Sequence, residues 1–111
     1  MNNDFIPLEG RVRVEIGGSP VADSTEVVAL REGSLPVRYY FPKSDVKFEL
    51  FTPTETVTRC GWKGYARYWT ATVEGHEYPD VLWGYDDPLP GAADIAGRVC
   101  FYNERVEILV D

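Results

Sequence analysis

Arg11-Val12-Arg13-Val14-Glu15-Ile16 alternates charge with branched aliphatic side chains at every step, and Val46-Lys47-Phe48-Glu49-Leu50 repeats the pattern. A period of two places successive side chains on opposite faces, so each segment reads as a strand with one face buried. Tyr65 to Val73 reads as a third and longer strand. Turn chemistry separates such segments: Gly17-Gly18-Ser19-Pro20, Glu32-Gly33-Ser34-Leu35-Pro36, Thr52-Pro53-Thr54-Glu55, Glu74-Gly75 and Asp86-Asp87-Pro88-Leu89-Pro90. Further strands are expected over Thr25–Leu30, Val37–Phe41, Thr56–Arg59 and Val81–Tyr85. Two closing strands are built on Val99 and Phe101 and on Val106, Ile108 and Val110. Only Ala92-Ala93-Asp94-Ile95-Ala96, with Gly97 at the C′ position, reads as a helix, and it is short. Met1 to Gly10 reads as a loosely held lead-in. The expected fold is all-β: two packed antiparallel sheets, a sandwich or partly open barrel, with one short helix near the C-terminus.

With 111 residues and neither repeat nor linker, residues 1–111 read as a single domain around one core. Val12, Val14, Val46, Phe48, Trp69, Val99, Phe101 and Ile108 lie on the apolar faces of their strands and are the expected core. A net charge of −7 argues against nucleic acid and against an anionic membrane surface as partners, since both demand a basic face. No apolar run approaches the length of a membrane span. Asp4, Glu9, Arg11, Arg13 and Glu15 interrupt the first twenty residues, so no apolar signal segment is expected and a cytoplasmic location is. Cys60 and Cys100 make no disulfide framework. Two free thiols are the expectation, with a single bridge left open.

Chemistry concentrates between Val57 and Tyr85, which hold all three tryptophans, Cys60, a lysine between Gly61 and Gly64, and several tyrosines. Large aromatics with polar tips beside a thiol and an amine furnish small-molecule pockets, and they also furnish β-sandwich cores. Lys63, three residues from Cys60, has two functional readings: lowering the thiol pKa, or offering an amine to an anionic ligand. The bland reading is a half-buried cysteine beside a solvated lysine, with the glycines shaping a turn. Alternation from Tyr65 to Val73 puts Ala66, Tyr68, Thr70 and Thr72 on one face. Trp69, Ala71 and Val73 fall on the more apolar face, so Trp69 is assigned to the core and Tyr68 to a pocket wall. Trp83 and Tyr85 share a face of the next strand and extend that wall.

The remaining candidates point away from chemistry. His76, the only histidine, follows a hairpin tip far in sequence from Cys60, which disfavours a nucleophile and base pair. Asp86 and Asp87 read as a strand stop, and Asp45 as a turn cap. Cys60 and Cys100 each lack a second cysteine at zinc-ligand spacing, so no metal and no cofactor are expected.

Several blocks resemble, in order, the bacterial family catalogued as domain of unknown function 427. They are Val21-Ala22-Asp23-Ser24, Tyr40-Phe41-Pro42-x-x-Asp45-Val46, Cys60-x-x-Lys63-Gly64-x-Ala66-x-Tyr68-Trp69, Trp83-x-Tyr85-x-x-Pro88, and Ile95-Ala96-Gly97-x-Val99-x-Phe101-Tyr102. The resemblance spans about residues 12–106. It implies a β-tent-like arrangement of two antiparallel sheets and attaches no secure activity. A nucleotidyltransferase label is sometimes given to this family. Nucleotidyl transfer places Gly-Ser on a helix and two carboxylates on a following strand to hold magnesium. Here Gly18-Ser19 falls in a hairpin turn, and Asp23-Ser24-Thr25 supplies one carboxylate.

Two functional expectations follow. The first is a domain with an aromatic-lined small-molecule pocket, walled by Tyr68, Trp83 and Tyr85, with Cys60 and Lys63 at its mouth. The second is a homodimeric interaction module whose exposed tyrosines and tryptophans form the interface.

Overall fold

The computed structural model describes residues 3–111. Its strands in chain order are β1 (Asn3–Pro7), β2 (Val12–Ile16), β3 (Ser19–Ser24), β4 (Val28–Glu32), β5 (Arg38–Pro42), β6 (Phe51–Cys60), β7 (Gly64–Val73), β8 (His76–Gly84), β9 (Arg98–Phe101) and β10 (Glu107–Val110). Seven of them form one antiparallel sheet in the order β1-β4-β5-β9-β8-β7-β6, and β10-β2-β3 form a second. The fold is all-β with two antiparallel sheets, as the alternation leads one to expect. The large sheet is open, with β1 and β6 at its edges.

Val12, Val14 and Ile16 of β2 are each no more than 1% exposed, so the small sheet turns its central strand onto the large one. They share a core with Phe41, Phe51, Ala71, Leu82, Val99 and Phe101. Phe101 anchors it, meeting Phe41 edge-on at 5.7 Å and Phe51 at 6.0 Å between ring centroids. Of the expected core, Val12, Val14, Val46, Val99 and Phe101 are buried, while Phe48, Trp69 and Ile108 are half-buried against it.

Four local expectations are corrected. The lead-in contains β1, which pairs along its length with β4. Val46 to Leu50 is not a strand: Lys47 turns the chain (φ −77°, ψ 77°) into a 3-10 turn over Phe48–Leu50. Val46 bridges Ala22, and Lys47 N donates to Val21 O at 2.9 Å, so this segment laces the small sheet to the large one. Thr52-Pro53-Thr54-Glu55 lies inside β6, because Pro53 on an edge strand need not donate to a ladder, and the register slips between Pro53 and Val57 to absorb it. The expected helix starts earlier, at Pro90–Ile95, and is 3-10, broken at Ala92 (φ −119°, ψ 24°). A segment that short cannot sustain an α-helix without a cap or a long packed face.

The small sheet covers only one face of the large sheet. On the other face, register brings Tyr68, Trp83, Cys100 and Tyr40 into one row across β7, β8, β9 and β5. The Pro90–Ile95 turn covers part of this row by inserting Ala92 and Ile95. Strand β7 serves both sides. Ala66 and Tyr68 are buried on the uncovered face, and Ala71 and Val73 are buried against the small sheet, with a register shift between Trp69 and Ala71.

Candidate functional site

The uncovered face bears a hollow of about 370 Å³ whose lining includes Cys60, Lys63, Tyr68 and Trp83, four of the five residues singled out from sequence. Its size falls at the lower end of small-molecule pockets, roughly 300–1,000 Å³. Glu32, Leu35, Pro36, Arg38 and Tyr102 complete the lining. Tyr85 lies beneath the wall: it is 4% exposed, and the Lys63 ammonium sits 5.5 Å from its ring centroid.

Aromatic rings make one side. Tyr68 and Trp83 are direct cross-strand partners and lie 6.2 Å apart at 28°, close to parallel. Trp83 meets Tyr102 at 4.3 Å. The Tyr68 and Thr58 hydroxyls are hydrogen-bonded at 2.8 Å, which fixes the ring from the neighbouring strand β6. Arg38 crosses this wall, its guanidinium carbon 5.2 Å from the Trp83 centroid and 5.7 Å from that of Tyr102. Burial, and then Tyr68 beside it, raises the Tyr102 pKa.

The opposite side is ionic. Lys63 is buried, not solvated, and its ammonium lies 3.0 Å from Glu32 Oε1. Trp62 Nε1 donates to Glu32 Oε2 at 3.0 Å, so both oxygens of this carboxylate are engaged. Phe5 of β1 packs on Trp62 at 5.9 Å, which gives the unexpected first strand a part in supporting the site. Gly64 makes the tight turn, with φ +109°, while Gly61 shows no such need. Leu89 N donates to Lys63 O at 2.9 Å and ties this turn to the segment leading into Pro90–Ile95. The ammonium's close contacts are therefore Glu32 and the rings of Trp62 and Tyr85. Cys60 is half-buried and free.

Behind the wall, Cys100 is fully buried and its thiol pKa is pushed up by that burial. Tyr40, also fully buried, is raised by its burial and then by Cys100 beside it. His76 is exposed at the hairpin end. Asp86 accepts from Lys43 at 2.8 Å, and Asp45 from Ser24 at 2.6 Å. Glycines 17 and 18 form the turn between β2 and β3, and Asp23 is held by Arg11 at 2.6 and 2.8 Å. A second hollow, about 410 Å³, involves Arg11, Arg13, Glu15, Asp23, Asp45 and Lys47. It contains no aromatic side chain, and its Arg11–Asp23 pair is about half exposed on each side, so water and salt compete there with any ligand.

Glu32, Arg38 and Tyr102 are the polar lining residues, beside Leu35 and Pro36, that sequence reading did not assign to the site. Glu32 reads as part of a turn, and Arg38 and Tyr102 as ordinary strand positions. The available signal is a charge at each end of the Gly33–Val37 connection, opposite in sign.

Fold and site define a small all-β domain of two antiparallel sheets with a polar-aromatic hollow on the open face of the larger. The chain belongs to the family described as a domain of unknown function, DUF427, whose model matches residues 4–111. That match extends the expected span at both ends and takes in most of β1 and all of β10. Comparison with curated proteins gives no match.

Proposed function

We propose that this domain binds a small molecule in the hollow on the uncovered face of the large sheet. One observation carries the reading: on the face of the large sheet turned away from the small one, Tyr68, Trp83 and Tyr102 line a hollow together with three charged groups. A concave lining that mixes aromatic rings with a few charged groups is suited to a small ligand. The reading assigns binding and no reaction. Nucleotidyl transfer finds no support in these residues, since Gly18-Ser19 lies at a hairpin and Asp23 is spent on Arg11.

The homodimer reading draws less support from the aromatic set, because Tyr68, Trp83 and Tyr85 are each at most 8% exposed. The strongly exposed aromatic is Tyr65, at 63%, near the β6 edge. An acidic chain speaks against a nucleic-acid partner, and two free thiols suit a reducing, cytoplasmic setting. No helix among the described residues is long and apolar enough to cross a membrane.

A thermal-shift screen against a metabolite panel tests the proposal, since a ligand that binds only the native state raises its stability. A hit whose shift disappears in Trp83→Leu supports it. Hits unaffected by Trp83→Leu and Tyr68→Leu, or no hit across the panel, count against it.

A further inference from the structure

We infer that the hollow takes a ligand carrying an oxyanion, a carboxylate or a phosphate, on a flat body, with the guanidinium of Arg38 as its anchor. This rests on the small-molecule reading above. Three charged side chains line the hollow, and two of them neutralise each other: the Lys63 ammonium lies 3.0 Å from Glu32, whose second oxygen accepts from Trp62. Arg38 remains. Its hydrogen bonds, 3.3 Å to Glu104 and 3.5 Å to Asn103, both leave from Nη1 and are long for charge-assisted bonds. Among the described residues, Nε and Nη2 donate to no protein acceptor. Glu104 is 57% exposed, so water already satisfies much of that carboxylate and it competes weakly.

The Arg38 side chain is nevertheless only 20% exposed, because it rests against the rings of Trp83 and Tyr102. A guanidinium held by two rings with one N–H edge unspent matches the bidentate geometry of a carboxylate or phosphate. Tyr68, Trp83 and Tyr102 line the hollow beside it and give the body of a ligand an aromatic border. In a chain of net charge −7 an anion is repelled at long range, so a local, partly desolvated cation is what can hold one. The Lys63 charge is already offset by Glu32 at 3.0 Å, so its net pull on an anion is smaller.

Calorimetric titration of the full chain with benzoate, phenyl phosphate and neutral benzamide tests the inference, on wild type, Arg38→Gln and Arg38→Lys. On wild type, the better of the two anions is expected to bind at least about tenfold more tightly than benzamide, and the order of the two anions tells carboxylate from phosphate. Arg38→Gln is expected to bring the anion-to-amide ratio to about one, and Arg38→Lys, which keeps the charge without the fork, to fall between. Should Arg38→Gln fail to fold, Arg38→Lys carries the comparison. Benzamide binding as tightly as both anions, or an unchanged ratio in the folded variants, overturns the inference and leaves the small-molecule reading standing. No binding by any of the three probes overturns both.

Discussion

Replacing Lys63 by methionine removes the ammonium and keeps an apolar stem over Trp62 and Tyr85. The bland sequence reading of Lys63 is a solvated loop lysine, yet the Lys63 and Glu32 side chains are only 10% and 13% exposed. Breaking a buried ion pair by deleting one partner typically costs about 3–5 kcal/mol, because the other charge is left uncompensated. Here Trp62 Nε1 still holds one oxygen of Glu32, and the hollow admits water to the other. The expected loss is therefore about 2–3 kcal/mol, below that range. For a domain of this size that lowers Tm by about 10–20 °C. Urea titration at neutral pH measures it as a lower midpoint with an unchanged slope. Adding Glu32→Gln removes the stranded charge, so the double variant is expected to recover about 1–2 kcal/mol relative to Lys63→Met. A single-variant loss below about 1 kcal/mol, or a double variant whose loss is the sum of the singles, refutes the coupling.

Gly84→Ala is expected to destabilise by about 2 kcal/mol or more, because its Cβ would collide with the Arg98 carbonyl oxygen and crowd Val99 Cγ1; an unfolding midpoint equal to wild type would show that β8 and β9 can part freely. Iodoacetamide at neutral pH is expected to label half-buried Cys60 and to leave fully buried Cys100 protected until urea unfolds the chain, and equal labelling of both in the native protein would contradict this burial. Burial holds the Cys100 thiol and the Tyr40 and Tyr85 phenols neutral in the fold above their ordinary values of 9.0 and 10.0, so the unfolded chain ionises first. This stability is fully present below about pH 9 and falls as pH rises from there, by up to about 1.4 kcal/mol per pH unit for each group. Chemical denaturation at stepped alkaline pH reads the slope; Cys100→Ala is expected to flatten its onset, and an unchanged onset contradicts the assignment.

Strand β2 is legible residue by residue because one of its faces packs on the large sheet and the other meets solvent. Strand β7 is not. Its buried side changes from Tyr68 to Ala71, so one apolar face cannot be chosen for its whole length, and Trp69 comes out half-buried where a fully buried core residue is expected. Val46 to Leu50 shows the opposite failure, since five alternating residues also suit a chain that turns at Lys47 and packs a half-buried Phe48 against Trp69. Local crowding pointed to Cys60, Lys63, Tyr68 and Trp83. What Lys63 and Trp83 touch is hidden, because Glu32 and Arg38 reach them only through the strand order β4-β5-β9-β8-β7. That order depends on pairings far apart in sequence, which no local period encodes.

The central claim, that the uncovered face of the large sheet is where a ligand binds, is tested most directly by the three tryptophan indole N–H signals. Trp83 lines the hollow, Trp62 donates to Glu32 at its edge, and Trp69 packs against the core on the opposite face. In a nitrogen-15 titration with the strongest hit from the metabolite panel, the Trp83 signal is expected to move in proportion to occupancy, Trp62 to move less, and Trp69 to stay in place. Movement of Trp69 with Trp83 unmoved would put binding elsewhere on the molecule and contradict the claim.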